Sequence, residues 1–164
     1  MHKNIILRLS NEVGNQMFMY AAAYSIAKKM NRLLYLDNQT AFLLKKNISS
    51  YGLSHFKINT PIVSDKLKFK YTKGYLKRKF LIKTDFMRSK KKFFIENKDK
   101  NKITNFSLDL LTESFDDNFY LEGHFESEKY FSDIKNDIKN EFTFKDQDLY
   151  KKNFFYKDIK NFNS

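Results

Sequence analysis

The chain has no cysteine and no tryptophan, and only one proline and four glycines among its 164 residues. Without cysteine, there can be no disulfide framework, no cysteine-ligated zinc or iron–sulfur site and no thiol nucleophile. The three histidines, His2, His55 and His124, lie far apart in the sequence, so we expect no dedicated metal site. These absences exclude disulfide-stabilised domains and argue against a metal-dependent protein.

Long apolar runs are missing too. The longest, Met17–Tyr24, is much shorter than the roughly 20 apolar residues that a membrane-spanning helix needs, and residues 1–10 contain too short an apolar stretch for a secretory signal. Hydrophobic residues still make up 41% of the chain and aromatic residues 17%, which is enough to build a buried core. We therefore expect one soluble, cytoplasmic domain.

The positive charge is concentrated in the middle of the chain. Residues 66–102 contain 15 basic and 3 acidic residues, a net charge of +12 that equals the charge of the whole chain. Lysines alternate here with phenylalanines, a composition that suits an anionic glycan, a lipid surface or nucleic acid, although a solvated face is the simpler alternative. Because lysine dominates and no nucleic-acid motif is recognisable, we expect no nucleic-acid partner and keep an anionic surface of the inner membrane as an alternative partner.

Hydrophobic periodicity predicts a strand-loop-helix-strand unit at the start of the chain. Asn4–Leu9 is a short apolar strand, and residues 15–30 carry apolar side chains at 18, 22, 26 and 30 on one helical stripe. A second strand follows at Leu33–Leu36 and ends at Asp37. A right-handed crossover would make the two strands parallel.

A similar unit is predicted near the end of the chain. Phe119–Leu121 is apolar enough for a strand, and residues 126–142 form an amphipathic helix with apolar residues at 130, 131, 134, 138 and 142. Between about 40 and 105, the pattern indicates only short helices and loops. The two units together predict an α/β fold with a parallel sheet.

Two loops follow these predicted strands, one before Asn15 and one at Glu122–Ser127. Open α/β sheets place ligands at such loops. Gly14 lets the backbone approach a ligand, and the N–H groups at the helix start can hold a phosphate. A single glycine is a weak signal, however, and an ordinary strand-to-helix turn is the alternative.

Three segments resemble the motifs of one family. Residues 8–21, RLSNEVGNQMFMYA, are similar to the GGLGNQMFQYA pattern that follows the first strand of the bacterial α-1,2-fucosyltransferases, glycosyltransferase family 11. Residues 50–58, SYGLSHFKI, look like the family's Y-x-L-x-x-F-x-I segment, and residues 120–131, YLEGHFESEKYF, resemble its YLxGYWQSEKYF motif. The three segments occur in the family's order and together span most of the chain.

The resemblance implies a fold and a reaction. The fold would be α/β, the Rossmann-like N-terminal half of a GT-B-type glycosyltransferase. By this resemblance, residues 1–145 would form the acceptor-side domain and residues 146–164 a tail leading to a missing donor-binding domain. The reaction, a step of carbohydrate biosynthesis, would transfer L-fucose from GDP-fucose to the 2-hydroxyl group of a galactoside in a glycan, with inversion. The partners are therefore a nucleotide sugar and a galactoside glycan, with no cofactor and no obligatory metal.

The resemblance also assigns donor binding to Val13, Gly14, Asn15 and Gln16. In such transfers, the enzyme must stabilise the charge that develops on the leaving diphosphate, and backbone N–H groups at a helix start suit that role. The alternative is that Asn15 caps the helix and Gln16 packs locally.

The second loop contributes Glu122, His124, Glu126 and Ser127, which either contact the acceptor or serve the structure. Glu126 and Ser127 are residue types that a helix N-terminus selects for structural reasons. His124 replaces an aromatic residue of the family motif, and a single histidine is more often structural than catalytic. The sequence names no catalytic base.

The chain also departs from the family pattern. Asn11 and Glu12 stand where the family has two glycines, and Glu12 places a carboxylate near an anionic donor unless it points away or serves the acceptor. The family's H-x-R-R-x-D motif, expected beyond Phe144, is absent, and no Arg-Arg pair occurs in the chain. We therefore expect a truncated chain that is weakly active or inactive alone. The alternative function is a non-catalytic basic module that binds an anionic partner through Lys66–Lys102.

Overall fold

A parallel sheet forms the centre of the molecule. The computed structural model describes residues 3–43, 50–96, 106 and 109–146, so most of the predicted tail lies outside the described residues. The four strands are β1 (Asn4–Arg8), β2 (Leu33–Asp37), β3 (Lys91–Ile95) and β4 (Phe115–Glu122), in the order β2-β1-β4-β3. All neighbouring strands are parallel. The predicted α/β class and the parallel pairing of the first two strands are confirmed.

Helices cover both faces of this sheet. They are α1 (Val13–Lys29), α2 (Tyr71–Thr84), α3 (Asp109–Thr112) and α4 (Lys135–Glu141). The chain crosses the sheet in one direction from β1 to β2 and in the opposite direction from β2 to β3. Crossovers of one hand that run in opposite directions place their helices on opposite faces. Accordingly, β1 presents Ile5 and Leu7 to the α1 side, whereas Ile6 packs with Leu81 and Ile82 of α2.

Buried alanines and a C-terminal cap explain the packing and the end of helix α1. Small residues on its inner side, Ala21–Ala23 and Ala27, are buried and let the helix lie close to the sheet. At its end, Asn31 has a positive φ of 51°, and the N–H group of Arg32 donates to the carbonyl oxygen of Ala27 at 2.9 Å. This arrangement is a Schellman motif with asparagine in the left-handed position. It turns the chain directly into β2.

Phe18 is an exception to the predicted helical stripe. Ala22 and Ile26 are buried as expected, but Phe18 is 38% exposed. The centroid of its ring lies 6.1 Å from the centroid of the Phe131 ring. The helix also begins at Val13, two residues before the predicted start.

The predicted helix over residues 126–142 is confirmed only in its second half, as α4, and is wrong before Lys135. Single 3-10 turns at Glu128–Tyr130 and Ser132–Ile134 precede the short helix α4. The break lets the Tyr130 ring pack edge-on against Phe125, with 5.3 Å between centroids, and lets its hydroxyl donate to Glu96 at 3.3 Å. Tertiary contacts of one buried tyrosine therefore override a helical pattern.

The sequence pattern indicated only short helices between residues 40 and 105, whereas the structure has the 14-residue helix α2 there, and the pattern did not indicate strand β3 or helix α3. Helix α2 has no buried residue and hence no apolar periodicity to detect, and β3 is a short, lysine-rich strand. The Asp85 carboxylate joins the two, since it accepts hydrogen bonds from the N–H groups of Lys92 and Phe93 at 2.9 and 3.0 Å. Among the described residues, no helix is both long and apolar enough to cross a membrane.

Candidate functional site

Charged residues mark the carboxyl end of every strand in the sheet. Arg8, Asp37 and Glu122 end β1, β2 and β4, and Glu96 follows β3. The register places Arg8 opposite Asp37 and Ile95 opposite Glu122. Because the strands are parallel, these residues share one edge, which we call the carboxyl edge. It is the edge at which the sequence predicts a ligand site.

The Glu122 carboxylate binds two arginines. Nε of Arg78, from α2, donates to Oε1 of Glu122 at 2.8 Å, and a second Arg78 nitrogen donates to Oε2. Nη1 of Arg8 lies 3.5 Å from the same Oε2. The three side chains are only 9%, 14% and 17% exposed for Glu122, Arg78 and Arg8. Burial lowers the pKa of Arg8, and the negative charge of Glu122 opposes that shift.

Arg8 also connects this ion pair to β2. Its Nε and Nη2 atoms donate to the hydroxyl and carbonyl oxygens of Thr40 at 3.1 and 3.2 Å. The buried Asp37 carboxylate accepts from the N–H groups of Gln39 and Thr40 at 3.1 and 3.0 Å, and from the Thr40 hydroxyl. One network of charge-assisted hydrogen bonds therefore holds together the ends of β1, β2 and β4 and helix α2.

Glu96 fixes the loop that follows β4. Its Oε2 atom accepts hydrogen bonds from the N–H groups of His124 and Phe125 at 2.8 and 2.7 Å. Gly123 makes this approach possible, because a methyl group there would overlap Cβ of Glu96 and lie 2.8 Å from Oε2. The carboxylate of Glu96, like those of Asp37 and Glu122, therefore accepts hydrogen bonds from the protein itself. Such a carboxylate is better suited to holding its neighbours in place than to transferring a proton.

The two predicted ligand loops meet at this edge. The side-chain nitrogen of Asn11 lies 3.4 Å from both ring nitrogens of His124. Nδ1 of His124 lies 3.4 Å from Oε1 of Glu126, in a pair whose side chains are 25% and 51% exposed. Ser127 accepts a hydrogen bond from the N–H group of Lys129 at 3.4 Å and so caps the following 3-10 turn. This is the structural role that the sequence analysis gave as the alternative to acceptor contact.

Gln16 is fully buried at the start of α1. Its Nε2 atom donates to the carbonyl oxygens of Asn11 and Ser50 at 2.7 and 2.8 Å, and its Oε1 atom accepts from the N–H group of Gly52 at 2.9 Å. Both amide hydrogens of Gln16 are thus used inside the protein. The structure places Gln16 as the link between the first and second motif segments, which matches the local-packing alternative.

The first turn of α1 faces solvent. Val13 and Gly14 are exposed and Asn15 is half-buried, and a Cβ atom added to Gly14 would have nothing within 4 Å. Glu12 occupies the N-cap position, is exposed, and makes no capping hydrogen bond through its side chain. The N–H groups at this end have no partners within the helix. Gly14 is therefore surrounded by open space in the same turn that carries these backbone donors.

A cleft of about 370 Å³ lies beside these residues, beyond the end of β2. Its lining combines aromatic side chains with amide and ammonium groups: Asn38, Gln39, Phe42, Leu43, Ser50, Tyr51, Lys70 and Tyr71. Gln16 holds Ser50 in place through the hydrogen bond described above. The wall of the cleft is therefore tied to the start of α1.

The three segments that resemble the fucosyltransferase motifs converge in space. Gln16 binds the second segment, and Asn11 contacts His124 of the third. Lys29 and Phe18 extend the contact between α1 and the third segment, through the carbonyl oxygen of Tyr130 and the ring of Phe131. The second and third segments thus both contact the first segment at the carboxyl edge.

Comparisons with known proteins give no match for this chain among protein-family models, curated proteins or solved structures. Within the described residues, no three histidine, aspartate or glutamate side chains cluster as metal ligands would. The sequence reasoning did not single out Arg8, Arg78 or Glu96. Arg8 had a signal, a charge directly at the end of an apolar strand, whereas Glu96 follows a lysine-rich strand and Arg78 is hidden among the lysines of α2.

Replacing Gln16 with leucine should lower the free energy of unfolding by about 3 kcal/mol, because two carbonyl groups and one N–H group lose their partner at a buried position. Urea denaturation followed by circular dichroism measures this change. Gln39→Leu is the matched control, since the Gln39 side chain is exposed and accepts one hydrogen bond, from Lys68. Equal stability of the two variants would show that Gln16 does not connect the segments.

Proposed function

We propose that this chain takes part in α-1,2-fucosyl transfer, in which L-fucose moves from GDP-fucose to the 2-hydroxyl group of a galactoside. One observation carries the proposal: of the three segments that resemble the motifs of glycosyltransferase family 11, the second and the third both contact the first at the carboxyl edge of a parallel sheet. This edge is where open α/β sheets bind their ligands. A Rossmann-like, GT-B-type domain on the acceptor side is the finer fold assignment that we propose with it.

The donor contact is proposed at the first turn of α1. The backbone N–H groups of Val13, Gly14 and Asn15 carry the partial positive charge of a helix N-terminus, which favours a diphosphate. Open space at Gly14 supports this role, since a phosphate needs to approach the backbone closely. Gln16 then acts indirectly, by fixing the turn on which these donors lie.

The acceptor is proposed to bind in the neighbouring cleft. Phe42, Tyr51 and Tyr71 offer ring faces to the apolar side of a sugar, and Asn38 and Gln39 offer amide groups to its hydroxyls. The volume of about 370 Å³ is sufficient for a small saccharide. This combination favours a neutral galactoside over a strongly anionic ligand.

Inverting transfer needs a group that accepts the proton of the attacking 2-hydroxyl. As the hydroxyl oxygen bonds to the anomeric carbon of fucose, the bond from that carbon to the diphosphate breaks, and GDP leaves with the electron pair. Asp37, Glu96 and Glu122 are occupied by protein donors. We therefore assign proton acceptance to the partly exposed pair of His124 and Glu126.

The assignment is tested by incubating the chain with GDP-fucose and lactose at enzyme concentrations that allow detection of a single turnover. The expected product is 2′-fucosyllactose, identified by mass spectrometry and by the NMR signals of its linkage, together with one GDP per fucose transferred. GDP-mannose is the control donor. The absence of both fucosyl transfer and GDP-fucose binding would contradict the proposed function.

Gly14→Ala should separate donor binding from stability. The helix has room for the added methyl group, so the free energy of unfolding should stay the same or rise by up to about 1 kcal/mol. The same methyl group would obstruct a bound diphosphate, so the Kd for GDP-fucose, measured by isothermal titration calorimetry, should rise about tenfold or more. An unchanged Kd would remove Gly14 from the donor site.

A further inference from the structure

The outward side of α2 carries side chains in three parallel rows. Residues four apart lie one above the other on a helix, and residues three apart lie on neighbouring rows. Leu76 and Phe80 form the central row, with Lys73 and Lys77 on one side and Lys79 and Lys83 on the other. Arg78 is on the inward side, where it binds Glu122. An apolar ridge flanked by lysines therefore faces away from the sheet.

The apolar side chains of this ridge protrude into solvent. Leu76 is 63% exposed and Phe80 is 67% exposed, and the turn that follows the helix adds Phe86 and Met87 at 80% and 75%. No residue of α2 is buried. We call these four residues, together with Lys73, Lys77, Lys79 and Lys83, the α2 surface. Exposing four large apolar groups on one helix and the turn that follows it is costly in water and indicates an interaction site.

The charge of the α2 surface is of one sign. Helix α2 contains four lysines, one arginine and no acidic residue, which gives it a charge of +5. Asp85 at its end is buried and binds the backbone of Lys92 and Phe93, so it does not offset the lysines outside. A partner for this surface must therefore be anionic and must also accept apolar side chains.

We propose that the α2 surface docks this protein onto an anionic lipid bilayer. A bilayer presents both partners that the α2 surface requires. Its phosphate groups can pair with the flanking lysines, and its apolar layer can accept the central ridge. The apolar groups form a convex ridge, which suits insertion between lipid headgroups. Nucleic acid would pair with the lysines but would leave Leu76 and Met87 in water. This inference is independent of the proposed fucosyl transfer.

Vesicle sedimentation tests the proposal with the full chain. Binding is expected to vesicles of phosphatidylglycerol and phosphatidylcholine and to be much weaker with phosphatidylcholine alone. Phe80→Ser combined with Phe86→Ser should weaken binding to the anionic vesicles about tenfold or more, because both side chains are exposed in the free protein and buried in the lipid. Leu33→Ser, at an exposed position on β2, is the control and should not change binding.

The charge requirement has its own matched pair of variants. Lys73→Glu with Lys79→Glu should weaken binding about tenfold or more, whereas Lys57→Glu with Lys139→Glu, the same change of net charge at exposed sites elsewhere, should weaken it much less. Equal losses for both pairs would reduce the effect to net charge and overturn the proposal. Tight binding to duplex DNA that is insensitive to the phenylalanine substitutions would overturn it in favour of nucleic acid.

Insertion itself can be observed directly, because the chain contains no tryptophan. Phe80→Trp should give a fluorescence emission that shifts to the blue when anionic vesicles are added and that is quenched by brominated lipid chains. Leu33→Trp should show neither effect. An unshifted and unquenched emission from Phe80→Trp in vesicle-bound protein would show that the ridge does not enter the bilayer.

Discussion

Glu122→Gln should lower the free energy of unfolding by about 3 kcal/mol or more, although it exchanges only one side-chain oxygen for an NH₂ group. Two guanidinium groups, from Arg8 and Arg78, are largely withdrawn from water and depend on this carboxylate. Removing one partner of a buried ion pair leaves an uncompensated charge, which is far more costly than losing a surface pair. Urea denaturation followed by circular dichroism measures the change.

Two further variants isolate the cause. Glu128→Gln breaks an exposed pair with Lys135, with a distance of 3.0 Å, and should change stability by less than about 1 kcal/mol. Adding Arg78→Met to Glu122→Gln should cost less than the sum of the two single substitutions, because the second removes a charge that the first leaves unpaired. Additive losses would mean that Arg78 and Glu122 do not stabilise each other.

Gly123→Ala should also be severe, and we expect it to lower the free energy of unfolding by about 3 kcal/mol. The methyl group would overlap Cβ of Glu96, an atom that cannot move without its backbone. Displacing Glu96 would also release the N–H groups of His124 and Phe125 from its carboxylate. Overpacking and unpaired buried donors act in the same direction. Thermal unfolding gives the loss of stability, and the amide NMR signals of His124 and Phe125 report the release.

Gly14→Ala is the natural comparison, since it makes the same chemical change where a methyl group meets nothing. A stable Gly14→Ala protein beside a destabilised Gly123→Ala protein is the expected pair of results. If Gly123→Ala kept full stability and unshifted His124 and Phe125 signals, Glu96 would not be the residue that fixes the β4 loop.

The sheet could be predicted where apolar residues carry the signal. The strands at Asn4–Arg8 and Leu33–Asp37 contain continuous apolar runs, and their parallel pairing follows from the crossover through α1. The full length of helix α2 could not be found in this way, because none of its residues is buried and periodicity reports only burial. The break after Tyr130 was equally hidden, since it depends on contacts with Glu96 and Phe125 that are distant in sequence.

The meeting of the two strand-end loops was predictable from the sequence, but the hydrogen bonds that connect them to the rest of the chain were not. Strand-end loops indicated the carboxyl edge, and the structure brings Asn11 and His124 together there. The sequence could not show that the side-chain amide of Gln16 forms hydrogen bonds with the backbone of residues 11, 50 and 52. Nor could it pair Glu122 with Arg78, because side-chain partners across a sheet are set by tertiary packing and not by spacing along the chain.

The most direct test of the account is an NMR titration of the isotopically labelled chain with GDP-fucose. The account predicts that the largest amide shifts belong to Val13, Gly14 and Asn15, and that lactose instead shifts the signals of Tyr51 and its neighbours in the cleft. Weak binding suffices for this measurement. Shifts confined to the lysines of the α2 surface would reveal nonspecific attraction of phosphate, and they would contradict a donor site at the start of α1.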